Sequence, residues 1–198
     1  MEMLTIKKPC SIAASGVGSW QSGIALIEVT VAVLILSIGV LGLTSLQLSA
    51  KRAGFEAVQR TAAASFANDI IERMRNNPEN LALYDGQTVG GASIGTPPSP
   101  DCTTASCTGS QMAARDLWEW EQAIDGANET RSGNAVGGLN SPTGCIDTTV
   151  GATAGRIEVT LSWEGYTTLS KVNDANTCGD EDSFNRQLLV VQSFITDE

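Results

Sequence analysis

One carboxylate stands inside the longest apolar run of the chain. Gly23-Ile24-Ala25-Leu26-Ile27-Glu28-Val29 opens a stretch that continues to Leu48, and Glu28 is its only charged residue. A charged side chain at the centre of a membrane helix costs about 2.5–3.5 kcal/mol on insertion scales, so an acidic group here is a functional-site candidate that needs a partner. The run from Ile24 to Leu48 is long enough for a helix to cross a hydrocarbon core of about 30 Å. A secretory signal peptide has a shorter apolar stretch, and its cut lies beyond that stretch. Here the polar leader comes first and the glycine precedes the apolar run. Cleavage after Gly23 would keep the helix on the mature chain and free an ammonium group at Ile24, one helical turn from Glu28.

This arrangement resembles the class III leader of type IV prepilins, in which an inner-membrane peptidase cuts after the glycine and methylates the new terminus. The resemblance implies that Gly23 precedes the cut, Ile24 is the methylated terminus and Glu28 is the assembly carboxylate. Ile24 stands where the family usually has Phe. The competing reading, a glutamate that merely snorkels to the interface, does not account for the glycine five residues upstream.

Composition fits a membrane-tethered, exported chain. The 198 residues carry a formal charge of −10, and loss of Glu2, Lys7 and Lys8 with the leader leaves 10 basic and 21 acidic side chains. Such a surface repels nucleic acid, whose non-specific affinity comes from Lys and Arg displacing counterions. No direct nucleic-acid binding is expected. Lys7 and Lys8 before the span compete with Lys51 and Arg52 after it, so charge alone leaves the orientation open.

Cys10 lies in the leader, leaving Cys102, Cys107, Cys145 and Cys178. Four cysteines allow three connectivities. The pairing of Cys102 with Cys107 and Cys145 with Cys178 is favoured because each pair brackets one local unit; in the chain-entropy model the loops contribute about 2 and nearly 4 kcal/mol. Disulfides imply an oxidising compartment, which places the C-terminal part in the periplasm. With no histidine and no Cys-x-x-Cys pair, the usual zinc spacings are missing, so no metal and no cofactor is expected. The same lack removes the common nucleophile–base pairings, and the chain is read as not an enzyme. Asp180-Glu181-Asp182 near Asp174 offers oxygen ligands for calcium, but an acidic cluster in an acidic protein reads first as a solvated turn.

The elements around the span follow from periodicity. Leu46, Ala50, Ala53, Ala57, Ala64, Ala67, Ile71 and Met74 recur in steps of three and four, interrupted only at Arg60, so the helix is expected to continue beyond the membrane with one face on a sheet. It should end at Asn76-Asn77-Pro78, because the residue before proline is driven out of the helical region. From Ile24 to Asn76 it would measure about 80 Å. Gly39, Gly42 and Gly54 weaken it, which leaves close helix packing or local unwinding inside a filament as alternatives. Residues 86–110 read as a loop, and Met112 or Ala113, Leu117, Trp120 and Ile124 mark a short helix with Thr108 and Gln111 as its capping box. Trp118 and Trp120 are assigned to core packing. Residues 126–143 read as irregular. Ile157, Val159, Leu161 and Trp163 alternate with polar residues, as in a strand with one wet face. Phe184 to Ile195 reads as a strand covered on both faces, and Cys145-Ile146 as a third.

Ser37-Ile38-Gly39-Val40-Leu41-Gly42-Leu43, Glu72-Arg73-Met74-Arg75-Asn76-Asn77-Pro78 and Ala113-Ala114-Arg115-Asp116-Leu117-Trp118-Glu119-Trp120 look like the PilV family of type IV pilus modification proteins. The similarity covers residues 22–78 and, locally, 111–121. It implies an α+β ladle: a leader over 1–23, a transmembrane half-helix over 24–48, an amphipathic half over 49–77, and a periplasmic head over 78–198 with an antiparallel sheet and variable loops. It further implies a minor pilin of low abundance that helps prime pilus assembly, with the prepilin peptidase, the inner membrane, other minor pilins and the major pilin as partners. Localisation would be the inner membrane, then the fibre or cell surface. Two alternatives stand beside it, a pseudopilin of a type II secretion system and a membrane-anchored periplasmic binding module that never polymerises.

Overall fold

A computed structural model describes residues 26–151, 154–167, 178–179 and 185–196. The chain divides into two compact units, Met1–Gln47 and Leu48–Glu198, and helix α1 (Leu26–Arg75) runs through both. The fold is α+β, a long N-terminal apolar helix with an antiparallel four-stranded sheet following it.

In the first unit every described side chain is exposed, and this part of α1 is apolar and long enough to cross a membrane by length and composition. The hydroxyls of Thr30, Ser37 and Thr44 donate to the carbonyls of Ile27, Val33 and Leu41 at 2.6–2.9 Å. These polar side chains are thereby satisfied within the helix, as lipid requires. The helix is unbroken through Gly39, Gly42 and Gly54 in the single chain.

In the second unit the helix buries a narrower face than periodicity predicts. Ala63, Ala67, Ile70, Ile71 and Met74 are buried, whereas Ala50, Ala53 and Ala57 are exposed and Ala64 is half-buried. The expected stripe fails before Ala63: there the head meets α1 at Phe55, Glu56 and Gln59, through Tyr166, Thr167 and Asn140, and leaves Ala50, Ala53 and Ala57 exposed. The helix ends at Arg75. Pro78 then starts a 3-10 turn, Pro78–Leu83, which carries Tyr84 into the core.

The sheet is ordered β1 (Gln87–Val89), β4 (Thr143–Val150), β5 (Ala154–Glu164) and β6 (Arg186–Thr196), every pair antiparallel. A two-residue hairpin, β2 (Thr130–Arg131) with β3 (Asn134–Ala135), forms a separate ribbon. The inner sheet face, Ile146, Ile157, Val159, Leu161 and Trp163, joins a core with the α1 face and with Ala113, Leu117, Trp120 and Ile124 of α2 (Gly109–Ile124). Burying each large apolar side chain stabilises the fold by about 1.5–3 kcal/mol. Trp120 is fully buried, and its indole N–H donates to the Phe66 carbonyl at 2.9 Å. Gly144 makes room for it: a Cβ there would lie 2.5 Å from the Trp120 ring.

Three sequence readings need correction. Residues 86–110 include strand β1, and residues 126–143 include the β2–β3 hairpin; both are too short to show a period. Cys145-Ile146 does supply a further strand, which runs from Thr143 to Val150. Strand β6 is not covered on both faces: it is an edge strand, with Phe194 69 % and Val190 40 % exposed, and its two apolar registers face unequal surroundings. Phe184 lies outside the described residues.

Candidate functional site

Glu28 lies in the first turn of α1. It has no hydrogen bond or ion pair among the described residues, which sets it apart from the satisfied hydroxyls of Thr30, Ser37 and Thr44. A carboxylate at a helix N-terminus points its charge at the positive end of the helix dipole, a favourable but incomplete substitute for a counter-ion. Gly23 and Ile24, the proposed cut and terminus, lie outside the described residues, as do Cys10, Asp174, Asp180, Glu181 and Asp182.

A second polar constellation joins α1 to α2 inside the head. Arg73 Nη1 donates to Glu119 at 2.6 Å and approaches Asp116 at 3.4 Å, while its Nε donates to Asp69 at 3.0 Å. The Tyr84 hydroxyl, fully buried, donates to the other Asp116 oxygen at 2.7 Å, and Asn77 Nδ2 donates to Tyr84 Oη at 3.3 Å and to the Gly109 carbonyl at 2.8 Å. Arg115 continues the chain of charge to Glu119 at 2.6 Å and to Asp101 at 3.3 Å, and stacks over Trp118. Asp69, Arg73, Asn77, Tyr84, Asp116, Glu119 and Arg115 therefore form one network that ties the end of α1 to the 3-10 turn and α2.

Burial pushes the Asp116 carboxyl up against the opposing pull of Tyr84 and Arg73. Burial also raises the Tyr84 phenol, and Asp116 adds to that shift. Glu119 goes the other way: burial opposes its ionisation, but hydrogen bonds from Arg73 and Arg115 hold it below the usual carboxylate range. The Arg73 guanidinium, opposed by burial, is raised by Glu119 and Asp69 and stays charged. This joint fixes α2 and the 3-10 turn against the end of α1.

The far half of α2 holds the loop after β1. Glu121 is fully buried and accepts from the Gly90 and Ile94 amides at 3.1 and 3.0 Å and from the Ser93 hydroxyl; one turn on, Asp125 accepts from the Gly91 and Ala92 amides at 2.9 and 2.8 Å. Burial works to raise Glu121, but Ser93 and the Gly90 and Ile94 amides outweigh it and lower its pKa. Gly90 has φ +132°, and a Cβ there would lie 2.3 Å from the Pro142 carbonyl oxygen, so the loop needs glycine at this point.

The structure joins Cys102 to Cys107, just before α2, and Cys145 on β4 to Cys178. Among the described residues there is no cluster of His, Cys, Asp or Glu fit to hold a metal. Sequence reasoning singled out Glu28 and the cysteines, and it missed the joint. Its motif residues Arg73 and Asp116 were read only as marks of resemblance, and nothing local shows that they meet across 43 residues.

Residues 45–118 match the model of a family described as Tt1218-like, Type IV pilin Tt1218. The matched stretch contains the second half of α1 and the joint residues Arg73, Asn77, Tyr84 and Asp116; it stops short of both Glu28 and the sheet strands β4–β6. The match covers less than half of the chain and supports a pilin-like protein; the part of α1 before it is apolar and long enough to cross a membrane by length and composition. No curated protein and no solved structure matches the chain significantly.

Proposed function

We propose that this chain is a minor pilin of the PilV kind, a structural rather than enzymatic subunit that enters a type IV pilus at low abundance and helps prime its assembly. The observation that carries this reading is the unpartnered Glu28 in the first turn of an exposed apolar helix, joined to a head whose entry helix matches a type IV pilin model. Cleavage after Gly23 frees the Ile24 ammonium. In the membrane the Glu28 carboxylate and the terminus of a neighbouring mature pilin form a charge-assisted hydrogen bond in low dielectric. An unpaired charge there is penalised, so each subunit favours the register in which its carboxylate meets a terminus. The apolar helix supplies lateral packing with other minor pilins and the major pilin, and the disulfide-bonded head faces the periplasm and then the cell surface.

Processing is tested by Gly23→Trp, which should block the prepilin peptidase. The expected result is a full-length precursor that stays in the inner membrane and is absent from sheared fibres. A normally shortened chain in that variant rejects the leader assignment.

A further inference from the structure

Strand β6 is a free edge of the sheet, and it carries none of the devices that keep an edge from pairing. From Gln187 to Thr196 it has no charged residue and no proline, and its register with β5 runs without a bulge from Trp163 opposite Gln187 to Ala154 opposite Thr196. The other edge is guarded. There β1 is three residues long, and beyond it the Asp85 carboxylate takes the Thr148 amide of β4 at 2.6 Å. The pairing also fixes which way the β6 backbone points. The Gly165 amide donates to the Asn185 carbonyl at 2.8 Å, while the Glu164 amide turns the other way, to the Asn140 carbonyl before β4 at 2.9 Å. Bonded pairs alternate along an antiparallel ladder, so the odd-numbered residues of β6 bond to β5, and Leu188, Val190, Gln192 and Phe194 aim their N–H and C=O groups outward. Among the described residues no hydrogen bond reaches those groups.

We propose that β6 pairs antiparallel with β6 of a second copy of this chain, in the register that sets Val191 opposite Val191, so that two four-stranded sheets become one. The strand is complementary to itself there. On the outer face Leu188 meets Phe194 of the other copy and Val190 meets Gln192, while on the core side Leu189 meets Ser193. Even-numbered residues fall opposite even-numbered ones, so each outward N–H from Leu188 to Phe194 finds a carbonyl. No charge faces a charge along this seam, which matters for a protein of net charge −10 whose copies otherwise repel. The burial pattern agrees. Val190 and Phe194 are exposed, and Leu189 and Val191 pack against the core only partly buried, so a second strand completes their cover. A twofold contact of a patch with itself closes at two copies. It lies apart from Glu28 and asks nothing of the apolar helix.

The test uses the full chain carrying Cys10→Ser, in lauryldimethylamine oxide micelles kept in excess over protein so that chains do not share one by crowding. Val191→Cys is added and oxidised mildly. The Cα atoms of a non-hydrogen-bonded antiparallel pair lie about 4.5 Å apart, within disulfide reach, so most of this variant should run as a covalent dimer on a non-reducing gel. Phe194→Cys faces Leu188 of the other copy instead of itself and should give about a tenth as much dimer or less. Two changes at exposed side chains should break the seam and keep the fold. Val190→Pro removes an N–H that β5 does not use, as edge strands tolerate, and Phe194→Lys sets a charge in the seam. The twofold axis makes each change twice, and loss of two hydrogen bonds corresponds to about tenfold or more in association. Either change, added to Val191→Cys, should therefore cut the covalent dimer by about that factor with the melting transition retained. The proposal is overturned if Val191→Cys stays monomeric, as it would were the edge reserved for a strand of another protein. It is equally overturned if Phe194→Cys cross-links as well as Val191→Cys, or if Phe194→Lys leaves the dimer undiminished.

Discussion

Glu28→Ala protein should be cut, methylated and inserted in the membrane, but its share of sheared fibres should fall at least tenfold. The substitution leaves the apolar run intact and improves it as a membrane helix, so anchoring does not suffer. What disappears is the acceptor proposed for a neighbour's ammonium. A hydrogen bond to a charged group contributes about 1.5–3 kcal/mol, which corresponds to a factor of roughly 10–100 in the equilibrium between lateral storage in the bilayer and entry into the filament. Immunoblots of membrane and sheared fractions compare the two pools directly. An unchanged ratio of fibre to membrane protein would remove the assembly role of Glu28.

Asp116→Ala weakens the head by about 2–3 kcal/mol, since it leaves the buried Tyr84 hydroxyl without its acceptor and removes one carboxylate from Arg73. For a domain of this size that corresponds to a fall in melting temperature of roughly 4–12 °C. Tyr84→Phe removes the donor from the same pair, so the double variant should cost much less than the two single losses added together. The pH dependence follows from the signs. Glu119 and Glu121 are lowered, so their stabilisation is complete above the unfolded carboxylate range and fades as pH falls through their native values. Asp116 is raised, so its contribution is fullest below that range and is lost as pH rises through its native value. Deleting Asp116 takes away the opposing contribution, and the variant should lose stability more steeply than the parent on acidification from pH 6. Additive single and double variants with parallel acid profiles would mean that Asp116 and Tyr84 are not coupled.

Features that rest on neighbouring residues could be read from the sequence. The end of α1 at the Asn77-Pro78 step and the capping of α2 by Thr108, which accepts from the Gln111 amide while its own amide donates to Gln111 Oε1 at 2.9 Å, depend on a few adjacent side chains. The alternation that places Ile157, Val159, Leu161 and Trp163 inward is likewise local. Strands β1, β2 and β3 are three residues or fewer, too short for any period to register. The polar joint depends on Arg73 meeting Glu119 across 46 residues, and the loop clasp on Glu121 reaching Gly90 across 31. Only folding brings those groups together, and single-sequence patterns carry no trace of it. The alanine stripe shows the converse error, since its repeat runs on through Ala50, Ala53 and Ala57, which the head leaves exposed.

The account turns on what begins the mature chain and where that chain resides. The most direct measurement is the intact mass of the protein recovered from sheared fibres, with sequencing of its amino terminus. The account predicts a chain that starts at Ile24, carries one N-methyl group and is present in the fibre fraction. A chain that starts at Met1, or one that is anchored in the membrane yet absent from every fibre preparation, would contradict it.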